Sequence, residues 1–340
     1  MNLFLFPEAA NTNNGYGFAV EKDFLKLHPS KSDLIVWYTI LEKEDMGYLK
    51  SNDIIIKKNK TLSIKSIYNI FIGKDRTELL INELRFLKTQ SFENIFCGDT
   101  IFYNAIRALF PNAYISVRFH NCFARIYDRK RLLRLTLDWK FSLKLINMYK
   151  LERQIFNDKK VNKIFISNED RNYYTTMYGR KFDSEVWPID VDINKIKKNR
   201  RPIKYSHSIV WFGGVESHKK ASLVWFMNEI LPIIKDAIPD VEFHLWGRGT
   251  EKFNNHDQGV FAHGFFQGTG MPLKNAIYIN PDLIGGGVKI KIQTYLENGI
   301  PFVSSPFGYE GYSMDLIDNK YCFVEENDNW ADRIIKIFKS

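Results

Sequence analysis

Three glycines in succession, Gly285, Gly286 and Gly287, precede Val288, Lys289, Ile290 and Lys291, and the stretch closes at Asn298, Gly299, Ile300 and Pro301. With no side chains in the way, the three backbone N–H groups can curl around an anion, and a helix starting directly afterwards adds the positive end of its dipole. Lys291, about one turn into that helix, brings an ammonium group to the same anion. The chemistry these residues fit is the gripping of a diphosphate. They also fit a turn before a strand, because Val288, Ile290 and Ile292 alternate with lysines at the strand period. Elsewhere, His120 ends an apolar run beside Asn121. It can hydrogen-bond a ligand or assist an acceptor, and it equally suits a strand-end turn. No D-x-D pair stands where it would hold a divalent cation beside the glycines, and no paired-carboxylate hydrolase arrangement is legible; nothing selects Glu8 or Glu21.

The elements that would position these groups follow a strand–helix rhythm. Asn275–Asn280 reads as a strand running through Pro281 into the glycines, and Ile300–Ser304 as the strand after the helix. Ser208–Phe212, Val241–Trp246, Gly259–Ala262 and Tyr321–Val324 read as further strands of the second half, with a helix from about Lys219 to Ala237 and a last one from about Asn329. In the first half, Asn2–Phe6, Asp33–Tyr38, Asp53–Ile56, Asn94–Cys97, Ala113–Phe119, Lys163–Ser167 and Val186–Ile189 read as strands. Asn11–Gly17 is a turn-rich loop before a helix from Phe18 to Leu27. Its spacing is not the G-x-G-x-x-G of a dinucleotide site. Such alternation predicts α/β domains with parallel sheets covered on both faces. The spacing divides the chain into a basic domain over 1–192, a polar linker over 193–207 and a second domain over 208–340.

Size and composition agree. A chain of 340 residues suits two ordinary domains, and 45% hydrophobic with 26% charged residues is globular. Cys97, Cys122 and Cys322 are widely spaced and show no metal-ligand pattern, which fits reduced thiols in a cytosolic protein. Leu3–Phe6 before Pro7 is too short for a signal peptide, and no apolar run is long enough to span a bilayer. The net charge of +9 lies in the first half: residues 1–200 hold 34 Lys and Arg against 23 Asp and Glu, whereas residues 201–340 hold 14 against 16. Much of it falls between Phe123 and Asp158, where Arg125, Arg129, Lys130, Arg131, Arg134, Lys140, Lys144, Lys150 and Arg153 alternate with apolar residues. That helical pattern suits a solvated face, a pair of helices capping the sheet, or a surface lying on anionic lipid. A nucleic-acid surface is disfavoured, because no nucleic-acid module motif is present.

The second half resembles the nucleotide-binding domain of GT-B glycosyltransferases, whose two Rossmann-like domains face each other across a cleft. Within them it most resembles the retaining group 1 enzymes, often called family 4. The resemblance is carried by Phe212–Gly213 with Lys219 six places on, Trp225–Phe226, Ile230–Leu231–Pro232, Leu245–Trp246–Gly247–Arg248–Gly249, His263–Gly264–Phe265, Pro281 through Lys291, Asn298–Ser304, and Gly308, Glu310 and Gly311. It spans nearly all of 208–312. More faintly, Val117–Arg118–Phe119–His120–Asn121 is similar to an R-x-H-N strand end found in some members. Phe165–Ser167 and Ile189–Asp192 are similar to the strand ends before the family's linker.

The resemblance implies donor-binding roles for Gly213, Gly214, Arg248, His263, Gly264, Phe265, Gly285, Gly286, Gly287, Val288, Glu310 and Gly311, with Gly15 and Gly17 in a loop over the donor phosphates. It implies catalytic roles for His120, Lys219 and Lys291. Two glutamates usual in the family are Gly286 and Thr294 here, and Glu297 sits elsewhere on the helix. The expected activity is metal-independent hexosyl transfer, with retention, from a nucleotide-diphosphate sugar to a glycan or lipid-linked acceptor of cell-surface polysaccharide or lipopolysaccharide. The expected place is the inner face of the membrane, held there by the basic half, with no nucleic-acid partner and no cofactor. The missing glutamates keep a second expectation open, a catalytically silent sugar-nucleotide-binding or scaffold subunit.

Overall fold

The computed structural model describes residues 1–7, 15–39, 53–57, 77–132, 139–179, 181–200, 204–215, 217–266, 271–318 and 320–340. These fall into two compact units. One is Met1–Asp128 with Trp139–Ile189; the other is Asp190–Ser340 with Arg129–Asp138.

The first unit holds a parallel sheet of β1 (Leu3–Phe6), β2 (Leu34–Thr39), β3 (Ile54–Lys57), β4 (Ile95–Cys97), β5 (Ile115–Phe119), β6 (Val161–Phe165) and β7 (Ser184–Val186), in the order β3-β2-β1-β4-β5-β6-β7. The second holds β8 (Ser208–Phe212), β9 (Glu242–Trp246), β10 (Val260–Gly264), β11 (Ile277–Asn280), β12 (Phe302–Ser304) and β13 (Cys322–Val324), in the order β10-β9-β8-β11-β12-β13. Each is a Rossmann-like sheet. The central strands are apolar on both faces, as expected where helices cover both sides: all four residues of β1 and of β11 are buried. The connections reverse direction between β1 and β4 and between β8 and β11, so the chain leaves these pairs on opposite sides and opens a crevice at their carboxyl ends.

The local structure follows from the sequence. The helical stretch after β8 runs Ser217–Trp225, loosens into a π-turn over Phe226–Ile230, and resumes as Leu231–Ala237. Pro232 lacks the N–H that would continue the α pattern, and the wider turn absorbs the gap. Ile238 before Pro239 ends the helix. All three cysteines are buried and unbridged.

Several elements differ from expectation. Gly15 and Gly17 lie in the first turn of the helix Gly15–Leu27 instead of a loop, while 11–14 fall outside the described residues. The basic stretch forms two helices, Phe123–Leu132 and Trp139–Asn157; 133–138, with Arg134, lie outside the described residues. The polar 193–207 segment is partly helical, over Ile193–Asn199, with Asp192 accepting from the Lys195 N–H at 3.0 Å. That helix is docked. Lys195 reaches Glu297 at 2.9 Å, the Asn199 amide donates to the Glu297 carbonyl at 2.7 Å, and a Cβ on Gly299 would come within 2.6 Å of the Asn199 carbonyl oxygen. The sequence reads as a linker because its lysines outnumber the apolar residues of the helix, of which Ile193 is exposed and Ile196 alone is buried, at 3% exposure.

Gly299 has φ of 63°, which L side chains rarely adopt, and backbone crowds the position where a methyl would sit. Gly299→Ala is therefore expected to destabilise the second unit by about 1–3 kcal/mol, read as a lowered midpoint in thermal denaturation. An unchanged midpoint would mean the helix Ile193–Asn199 does not rest there.

Candidate functional site

The two strand-end loops at the β8/β11 switch converge on one acid. Asp282 follows β11 by two residues and is 2% exposed. Its backbone is tied on both sides: the Asp282 carbonyl accepts from Ser305 Oγ at 2.5 Å, and the next N–H, of Leu283, donates to Ser222 Oγ at 3.2 Å. Its carboxylate lies 3.2 Å from Lys291 Nζ, and Lys219 and Lys289 add their charges nearby. Burial pushes the Asp282 pKa up, but the three lysines, Lys291 foremost, bring it below the usual carboxylate value. Lys291 is itself buried, which lowers its pKa; Asp282 opposes that, and Lys219 adds to it. The Lys291 ammonium also stands 5.0 Å from the Trp211 ring centroid. The sequence reading paired Lys219 with Lys291 but missed Asp282 between them. Its trace was an acid placed where an apolar strand ends.

Gly285–Gly287 form the loop from β11 into the helix Ile290–Glu297, which excludes the turn-and-strand reading of Val288, Ile290 and Ile292. Gly287 has φ of 61°. Lys289 Nζ donates back to the Gly287 carbonyl at 2.9 Å and stands 4.1 Å from the Phe307 ring. Tyr312 serves the helix start: its hydroxyl donates to the Lys289 carbonyl at 2.9 Å and accepts from the Gln293 N–H at 3.2 Å. Lys291 thus sits in the first turn, closer to the loop than the sequence suggested. The Val288 side chain is buried against Gly311, where an added Cβ would come within 2.4 Å of Val288 Cγ2. Glu310, half-buried, follows the short helix Pro306–Tyr309. Glu297 turns to Lys195 and Gln293 and has no part in the loop.

Gly213 and Gly214 cross the end of β9. The Gly213 N–H donates to the Trp246 carbonyl at 2.8 Å and the Val215 N–H to the Arg248 carbonyl at 2.9 Å. A Cβ on Gly247 would sit 2.0 Å from the Gly213 oxygen, so this approach requires glycine. Arg248 lies 5.4 Å over the exposed Phe265 ring. Gly264, φ 70°, packs against Glu251. His263 is exposed and stacked on Trp246 at 4.0 Å. Its Nε2 meets His244 Nδ1 at 3.1 Å, and His244 Nε2 meets Glu242 at 3.1 Å. Burial holds both imidazoles below their ordinary pKa.

In the first unit, His120 caps β5 and is 6% exposed. Its Nε2 is 3.4 Å from Asp23, which the helix Gly15–Leu27 supplies. Asp23 in turn takes Arg118 Nε at 2.9 Å, while the other guanidinium nitrogens donate to the carbonyls of Phe165 at 2.6 Å and Trp187 at 2.8 Å. Burial first, then the Arg118 charge, holds the His120 pKa well below its usual value, against the Gly98 backbone. These surroundings favour the neutral imidazole, which can donate at one ring nitrogen and accept at the other. Asp23 was missed, though it interrupts the buried face marked by Ala19 and Val20 at helical spacing.

Residues 206–340 match the family described as Glycosyl transferases group 1. No curated protein matches by sequence. Solved structures are similar over the whole chain: TarM (12% identity, TM-score 0.64, covering 99% of this chain and 91% of TarM), HepE of Anabaena in complex with UDP and glucose (12%, 0.57, 100% and 90%), and WaaG, a glycosyltransferase involved in lipopolysaccharide biosynthesis (10%, 0.56, 100% and 91%). At these identities the likeness is one of fold, and that fold is the pair of Rossmann-like domains called GT-B.

Arg118 and Asp23 are both almost fully buried, at 2% and 3% exposure. Arg118→Leu leaves the carboxylate without its counter-ion and is expected to cost about 3–5 kcal/mol of stability, measured by urea denaturation. A loss under about 1 kcal/mol would show that the pair does not anchor this strand end.

Proposed function

With residues 206–340 a group 1 glycosyl transferase domain, we propose that the protein moves a hexosyl group from a nucleotide-diphosphate sugar to a glycan or lipid-linked acceptor, with retention and without a metal ion. The observation that carries this is the cluster of Lys219, Lys289 and Lys291 around buried Asp282, beside the glycine loop at the carboxyl ends of β8 and β11. Three ammonium groups gathered at one carboxylate make a cationic cluster of the kind a sugar nucleotide's two phosphates call for. Breaking the anomeric bond puts further negative charge on the leaving diphosphate, and prearranged cations stabilise it in the transition state more than in the ground state. Gly213 and Gly214, at the neighbouring strand end, leave room for backbone to approach the same group. The second unit is proposed to hold the donor and the first to serve the acceptor, where neutral His120, steadied by Asp23, hydrogen-bonds sugar hydroxyls.

The proposed route is cell-surface polysaccharide or lipopolysaccharide synthesis; WaaG, similar in fold, is involved in the latter. A place at the inner face of the membrane is supported by the basic first half and by exposed Leu132 and Trp139. No described helix is long and apolar enough to cross a membrane. The rival reading, a silent sugar-nucleotide-binding subunit, is motivated by Gly286 and Thr294 at the positions of the usual glutamates.

A thermal-shift series with UDP, GDP, CMP and ADP is expected to single out one nucleotide, since a tight ligand raises the melting point by mass action. Lys291→Ala and Lys219→Ala are each expected to lower kcat for transfer or donor hydrolysis by about 100-fold or more. Binding without turnover in the unaltered protein would favour the silent subunit. Separately, vesicles containing anionic lipid should capture the protein and release it as salt rises; failure to bind at low salt would remove the membrane part.

A further inference from the structure

We propose that Asp282 is a positioning residue, which holds Lys291 in place and keeps its buried ammonium group charged for the donor's diphosphate. The proposal rests on the donor-site reading above. Three observations carry it. The first is placement: hydrogen bonds from Ser305 and to Ser222 hold the backbone on either side of Asp282, which fixes where its side chain starts. The second is burial: Asp282 is 2% exposed and the Lys291 side chain 16% exposed, and an ammonium removed from water without a counter-ion sheds its proton. The third is the company Lys291 keeps. Lys219, on the helix Ser217–Trp225, repels it; Lys289, at the start of its own helix, adds a further cation; Trp211 of β8 faces it with a ring. Arg129, whose segment groups with this unit, donates to the carbonyl of Leu283 next to Asp282. Among the described residues, Asp282 supplies the carboxylate within ion-pair distance of Lys291. Oδ2 is the oxygen that faces Lys291, while Oδ1 is buried and has no hydrogen-bond partner among the described residues.

Two effects of removing this charge oppose each other, and pH separates them. While Lys291 stays protonated, losing a neighbouring negative charge favours an anionic ligand. Once Lys291 loses its proton, the ligand loses a cation. A lysine deprotonates as pH rises, so the loss appears on the basic side.

The test is the affinity for a nucleoside diphosphate (the one chosen by thermal shift), measured by calorimetry from pH 6 to pH 10 with wild type, Asp282→Asn, Lys291→Arg and the double variant. Asp282→Asn is expected to bind as well as wild type, or better, at the acid end. Its basic limb should move at least one pH unit lower, which is about tenfold weaker binding in the region between the two limbs. In the double variant the limb should vanish, because a guanidinium keeps its proton. Equal weakening at all pH values, or an unmoved limb, overturns the proposal. If Asp282→Asn does not fold, Lys291→Arg alone decides: it should abolish the wild-type limb, and a persisting limb overturns the proposal. The Lys291 Nζ titration, followed by NMR and assigned with Lys291→Arg, is independent of the donor. A titration unmoved in Asp282→Asn overturns the pairing. A shifted titration in a protein that binds no nucleoside diphosphate supports the pairing and sinks the donor reading instead.

Discussion

Both units depend on the same constraint, the reversal of connections at the centre of a parallel sheet. Between β1 and β4, and between β8 and β11, the chain departs to opposite faces, which leaves a crevice at the carboxyl ends of these strands. Backbone groups that would be paired in the sheet interior are offered there to loops, side chains and ligands. In the second unit the opening is lined by glycines because backbones approach one another too closely for anything larger, as Gly247 against Gly213 shows.

Each opening is organised around a buried ion pair. In the first unit Arg118 bridges Asp23 and two carbonyls; in the second Lys291 meets Asp282. Such pairs are poor sources of stability, since desolvation cancels much of the attraction. Their worth lies in direction. A guanidinium with three fixed acceptors has one orientation, and so do the strand end and the His120 it adjoins. The lysine pair differs in that two further ammonium groups, of Lys219 and Lys289, act on the same carboxylate.

How much was legible in the sequence differed by the kind of signal. The β-strands could be read because runs such as Leu3–Phe6 and 277–279 are apolar throughout, and glycines and prolines punctuate them. The glycine loop was legible for the same reason, and the ambiguity over Val288–Ile292 was settled by Tyr312, a residue twenty-odd positions away whose hydroxyl starts the helix. Asp23 and Asp282 were not legible as partners, because what selects them is a basic group brought near by topology. The contact of Val288 with Gly311 was not legible either, because the two become adjacent only through folding. The helix Ile193–Asn199 hid behind its lysines: one buried isoleucine and a glycine opposite suffice to dock it, and neither stands out from composition.

The run Glu242–His244–His263 carries a consequence of its own. When both imidazoles are neutral, the Glu242 carboxylate accepts the Nε2 proton of His244, which leaves His244 Nδ1 as a lone pair for the N–H of His263. One tautomer then remains for His263, with its proton on Nε2 and a lone pair on Nδ1. Whatever settles against that exposed ring must bring a proton of its own to share: an amide, an amine or a hydroxyl is welcome, and a carbonyl is turned away.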